Sequence, residues 1–137
     1  MDTRREVQAL AAYQTVASHG GVAAADPQGL VLMLLDGALE RTARLRIAII
    51  ERNYTEKARA INRTLGILDE LRGSLDFDVG GEIARNLDAL YDYCSRQLLG
   101  VTVSLNLDTV DEVLRLLNHV RLTWLAVRAQ AAKPAAA

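Results

Sequence analysis

Two histidines, one cysteine and a set of helix-spaced carboxylates are the first side chains to weigh for chemistry. A di-iron site in a helical bundle needs glutamates together with Glu-x-x-His motifs. Neither His19 nor His119 has a glutamate three residues before it. A zinc site calls for paired cysteines or histidines, and Cys94 is the single cysteine. It falls on an apolar helix face and reads as a small core side chain. Histidine phosphotransfer needs one exposed helical histidine. His119 is the candidate, but Val120, Arg121, Leu122 and Thr123 follow it, without the lysine and glycine expected one turn on. Glu70, Asp88 and Glu112 sit near bases at helical spacing and read as solvated faces, not as a paired acid and base. Gly80-Gly81 lacks phosphate-loop spacing and reads as a turn before a helix. Arg41, Arg44, Arg46 and Arg52 make one end of a helix basic, but no aromatics are interleaved to stack on nucleobases. The expectation is a protein without catalysis, cofactor or metal, and without a nucleic-acid site.

The elements that hold these residues follow from the breaks in the chain. Gly20-Gly21, Asn53, the stretch 73–81 and the run 100–108 punctuate four segments of roughly 20–26 residues, which makes helices of ~30–40 Å. Asp26-Pro27 opens the first as a cap followed by proline at the first helical position. Asn53 with Glu56 has N-cap-to-N3 spacing for the second, and Asp108 with Asp111 has it for the fourth. Apolar residues recur at threes and fours. The first seam is Val31, Leu35, Ala38, Thr42, Leu45 and Ile49. The second is Ala58, Ile61, Leu65, Leu68 and Leu75. The third is Ile83, Leu87, Leu90, Cys94, Leu98 and Val101, and the fourth Val113, Leu117, Val120, Trp124 and Val127. Short connections make sequential helices antiparallel, so the expected fold is all-α, an up-down four-helix bundle preceded by a short, movable N-terminal helix. The expected divisions are a leader and linker over 1–22, the bundle over 23–130 and a disordered tail over 131–137.

Composition agrees. The 137 residues are half hydrophobic and 24% charged, with two prolines and one phenylalanine, which favours helices over strands. Sixteen basic residues against seventeen acidic ones leave no overall field to attract nucleic acid. One cysteine excludes an intramolecular disulfide framework and points to a reducing, cytoplasmic compartment. The run Leu30 to Leu35 is far shorter than the ~20 residues of a membrane span. No secretion signal is evident, so membrane insertion is not expected.

The first long segment carries more apolar surface than a bundle position uses. At roughly 100° per residue, Leu30 and Leu32 lie to either side of its seam and Met33 nearly behind it. A helix apolar on every side must be covered on every side. Gly29 and Gly37 flank Met33 on the rear stripe, and Gly66 lies in the middle of the second segment. A glycine there either lets another backbone approach or serves a helix crossing within the monomer. Leu114, Leu122 and Leu125 repeat the surplus on the fourth segment. The leader, with Val7, Leu10, Tyr13 and Val16, is the natural cover. Burying four such groups contributes roughly 1.5–3 kcal/mol each, while ordering a dozen residues costs roughly 1–2 kcal/mol apiece. A cover so balanced is displaceable, as in a regulated helix-binding groove. The alternative is a self-associating adaptor, in which the stripe pairs with its own copy.

Several blocks are familiar in combination. Ala12-Tyr13-Gln14, Leu30 to Ala38 with its Asp36-Gly37-Ala38 end, Ser74-Leu75-Asp76-Phe77, Gly80 to Leu87, Leu90-Tyr91-Asp92-Tyr93 and Leu116-Leu117 through Trp124 occur in that order. The sequence resembles the flagellar secretion chaperone FliS family from about residue 12 to 127. That resemblance implies a cytosolic four-helix bundle that binds the disordered C-terminal segment of flagellin. It implies that premature polymerisation is prevented and that subunits are delivered to a component of the type III export gate. The leader would fold back over part of the client site, and a client-free groove could dimerise. The expected client-binding residues are Leu10 and Tyr13 on the cover, and Leu30, Met33, Leu34 and Gly37 on the groove.

Overall fold

A computed structural model describes residues 27–132. They form four helices: α1 (Pro27–Ile50), α2 (Tyr54–Gly73), α3 (Phe77–Gly100) and α4 (Leu107–Ala132). Neighbours in sequence pack side by side, and α4 returns to pack against α1, while the diagonal pairs meet far less. Ion pairs show that α1 and α4 run in opposite directions. Asp36 pairs with Arg121, and farther along α1 Arg46 Nε reaches Asp111 Oδ1 at 2.9 Å. This is the antiparallel up-down bundle that the spacing predicts. The N-terminal leader and the end of the tail, with the expected divisions that involve them, lie outside the described residues.

Side-chain caps set the helix starts. Asn53 accepts from the Glu56 amide at 3.2 Å, as its spacing predicts. Asp76 accepts from the amides of Asp78 and Val79, so α3 begins at Phe77, inside the expected break. That helix bends at Gly81, whose φ of +53° is one that glycine adopts without steric cost. The fourth helix likewise starts earlier than Asp108 as cap would allow. It opens at Leu107, and Asn106 Oδ1 accepts from the Asp108 amide at 3.0 Å.

The first seam is buried at every position, and the fourth is buried except for half-buried Val120. The two middle seams are buried in part: Ile61, Leu68 and Leu75 of the second and Cys94, Leu98 and Val101 of the third lie in the core as expected, while the rest are shifted. On α2, Ala58 is exposed and the core takes Ala60, Ile61, Thr64, Leu68 and Leu71. On α3, Ala84 and Tyr91 replace Ile83 and Leu90 at the centre. Two polar core positions are satisfied locally. Thr42 donates to the Ala38 carbonyl and Thr64 to that of Ala60, four residues back in each case. Lys57 is buried because its ammonium donates to the carbonyls of Thr102 and Ser104, at 3.3 and 3.2 Å. It thereby ties the α3–α4 connection to the start of α2.

Cys94 is fully buried in this core. Burial, with a smaller contribution from the Glu112 charge, pushes its thiol up to about 12 from 9.0. Because the folded value lies above the unfolded one, the stability linked to this group is intact below pH 9. It is lost as pH rises toward 12, where the unfolded chain has released the proton and the folded chain holds it. Urea midpoints are expected to fall across that window, and less steeply in Cys94→Ala. The folded thiol should also resist a chromogenic disulfide reagent at neutral pH until denaturant is added.

Candidate functional site

The α1 positions that face its neighbours are identifiable from single contacts. Gly37 lies against α2, where an added Cβ would stand 3.4 Å from Ile67 Cδ1. Asp36 lies against α4 through its ion pair with Arg121. Both residues are one helical turn beyond Met33, at three and four positions, so Met33 occupies the outer ridge between the two flanks. Its side chain is 70% exposed. Leu30, Leu32 and Leu34 are half-buried and pack against the core cluster.

Neighbouring helices therefore absorb most of the surplus around the opening turns of α1, and one large thioether stands free on the ridge. Gly37, in the middle of α1, serves the α1–α2 contact within the monomer. Gly66 is exposed, with nothing within 4 Å of an added Cβ. Gly37 thus borders the ridge while facing inward to Ile67. Leu10 and Tyr13 lie outside the described residues.

The start of α1 is held firmly. The Trp124 indole donates to the Gln28 carbonyl at 3.0 Å, with the ring buried beneath the first turns. Leu122 on α4 is exposed, as are Phe77 and Val79 at the start of α3. Up-down connectivity places the start of α3 and the end of α4 at the same end of the bundle as the start of α1. The opposite end carries a second group of exposed apolar side chains, Ile47, Ile50, Tyr54, Leu99, Val103 and Leu105. Sequence reasoning passes over these six. Ile47 and Ile50 are off the first seam, which is a usable signal, whereas Val103 and Leu105 sit in a connection where no periodicity applies.

The carboxylates read as solvated faces divide. Glu70 is exposed. Asp88 instead receives the Arg72 Nε at 2.9 Å, and Asp92 receives its Nη1 at 3.2 Å, which links α2 to α3. Glu112 accepts from the Tyr93 hydroxyl and links α3 to α4. That hydrogen bond, with some desolvation, holds the Tyr93 pKa above its ordinary value. These contacts fasten one helix to the next. His119 is exposed. Among the described residues no group of three histidines, cysteines or carboxylates is arranged to hold a metal ion, and no helix is long and apolar enough to cross a membrane.

These observations define a class: an antiparallel four-helix bundle whose polar groups fasten helices together and whose first helix, among the described residues, exposes Met33 on its outer ridge. Comparison with known proteins narrows it. The family described as "Flagellar protein FliS" matches residues 9–131. The flagellar secretion chaperone FliSB of Pseudomonas aeruginosa is 37% identical over 118 residues, covering 86% of this chain and 94% of the relative. The flagellar secretion chaperone FliS of Salmonella typhimurium is 34% identical over 121 residues, covering 88% and 90%. That of Vibrio cholerae is 31% identical over 115 residues, covering 84% and 85%. The chain belongs to the FliS family of flagellar secretion chaperones.

Proposed function

We propose that this protein is a non-catalytic cytosolic export chaperone that binds the disordered C-terminal segment of flagellin, keeps it from polymerising early and hands it to the flagellar type III export gate. Beside family membership, the observation that carries this reading is Met33, a large apolar side chain exposed on the outer ridge of the opening turns of α1, where Leu30, Leu32 and Leu34 pack against the core. A flagellin helix destined for a filament core has an apolar face of its own. Covering that face with another protein lowers its free energy as a monomer and so opposes assembly. A disordered client can wrap a wide surface while the entropy of ordering it holds the net affinity down, which keeps release feasible. Leu30, Leu34 and Gly37 flank Met33 on this surface, and Leu10 and Tyr13 belong to the leader that competes for it. Tyr13 suits such a contact because its ring is apolar while its hydroxyl tolerates a wet rim.

Calorimetric titration with a flagellin C-terminal peptide tests the reading. Saturable one-to-one binding is expected, and its absence at high peptide concentration would overturn the proposal. Deleting residues 1–18 is expected to leave the helical circular-dichroism signal and cooperative unfolding in place while changing peptide affinity. Loss of the bundle in that variant would show instead that the leader is part of the core.

A further inference from the structure

Away from the Met33 ridge, α1 and α2 enclose a cleft of about 160 Å³ lined by Arg41, Arg44, Glu56, Arg59, Ala60 and Arg63. The lining includes Ala60, a small buried residue of α2. Arg44 is taken up by Glu40 at 2.9 Å and Arg59 by Glu56 at 2.8 Å, each within its own helix. Arg41 and Arg63, one on each wall, make no ion pair among the described residues. Two positive charges are thus uncompensated within one cleft of a chain whose net charge is −1. No aromatic residue lines the cleft, and Glu56 is the one carboxylate in its lining.

We propose that this cleft binds a carboxylate-bearing peptide segment of a partner protein, with Arg41 and Arg63 as the receiving groups. An arginine fork matches a carboxylate in two parallel hydrogen bonds. A carboxylate placed between the two unpaired guanidiniums relieves their mutual repulsion and leaves both existing pairs intact. A nucleic acid finds no ring in this lining on which to stack a base, so the cleft favours an acidic peptide over RNA. The site is separate from the proposed client ridge. Arg41 and Arg44 are eight and eleven residues beyond Met33, about 12–16 Å along the helix axis.

Titration of the full chain with a decaglutamate peptide tests the assignment, with inorganic tripolyphosphate and an oligouridine RNA as parallel arms. Decaglutamate is expected to bind, more weakly as salt is raised. Replacing both guanidiniums, Arg41→Gln with Arg63→Gln, is expected to weaken it by about tenfold or more. Circular dichroism establishes that the double variant is folded, and Met33→Ser, which alters only the ridge, should bind decaglutamate unchanged. Equal decaglutamate affinity in the double variant and the parent overturns the proposal. So does tighter binding of tripolyphosphate or RNA that depends on the same two arginines. Because flagellin-peptide affinity is read separately, failure here is distinguishable from failure of the chaperone reading.

Discussion

Met33→Glu is expected to reduce affinity for a flagellin C-terminal peptide by about 30- to 1,000-fold, the effect of losing ~2–4 kcal/mol at the centre of an interface. The bundle should be unaffected. The side chain is 70% exposed, and glutamate is as good a helix former as methionine. In the free protein the new carboxylate stays in water. In the complex it would be carried beneath an apolar client face without a partner, and the desolvation of that charge opposes binding. Leu30→Glu should weaken binding as well, but Leu30 packs against the core, so part of its effect will appear as lost stability. His119→Glu adds the same charge at another exposed position and serves as the control. Unchanged affinity in a folded Met33→Glu protein removes this ridge from the client site.

Tyr91→Ala is expected to cost about 3–5 kcal/mol of folding stability, the range for truncating a buried aromatic ring. Tyr91 has no solvent exposure and is the largest fully buried side chain, on the face of α3 that also carries Ala84, Cys94 and Leu98. Its removal leaves a void that three rigid neighbouring helices cannot close. For a domain of this size the melting temperature should drop by more than about 10 °C. Tyr91→Phe keeps the ring volume and should lose far less. If Tyr91→Ala unfolds no more readily than a surface variant such as Asn118→Ala, the centre of the core has been wrongly placed.

The seams show where periodicity is informative. α1 and α4 each keep one face at unbroken spacing of three and four, interrupted in chemistry only by Thr42 on α1, so the reading is correct nearly residue for residue. α2 and α3 present competing phases. Ala58 and Ala60, Ile83 and Ala84, or Leu90 and Tyr91 are adjacent or nearly so, and a difference of one or two residues rotates the chosen face by roughly 100–200°. Composition alone favours Leu90 over a tyrosine. The fold instead buries Tyr91, because its position lines up with Ala84, Cys94 and Leu98.

The candidate site was partly legible in the same sense. An excess of apolar side chains near the start of α1 is visible in Leu30, Leu32, Met33 and Leu34, and so is the implication that something must cover them. Which of the four stays open is not visible. Gly37 shows the same limit, since its place on a rear stripe suits an outside partner as well as it suits Ile67.

Local spacing and capping chemistry are properties of a few consecutive residues, and they suffice to specify four helices, their breaks and an antiparallel bundle. Recognisable residue blocks likewise suffice for the family. Exposure is a different kind of quantity, because it depends on how distant helices lean together. Arg121 reaching Asp36, Trp124 reaching Gln28 and Ile67 closing on Gly37 join residues far apart in the chain, and among the described residues they leave Met33 exposed between them. The arginine cleft arises in the same way, from two helices each of which shows only an ordinary charged face when read alone.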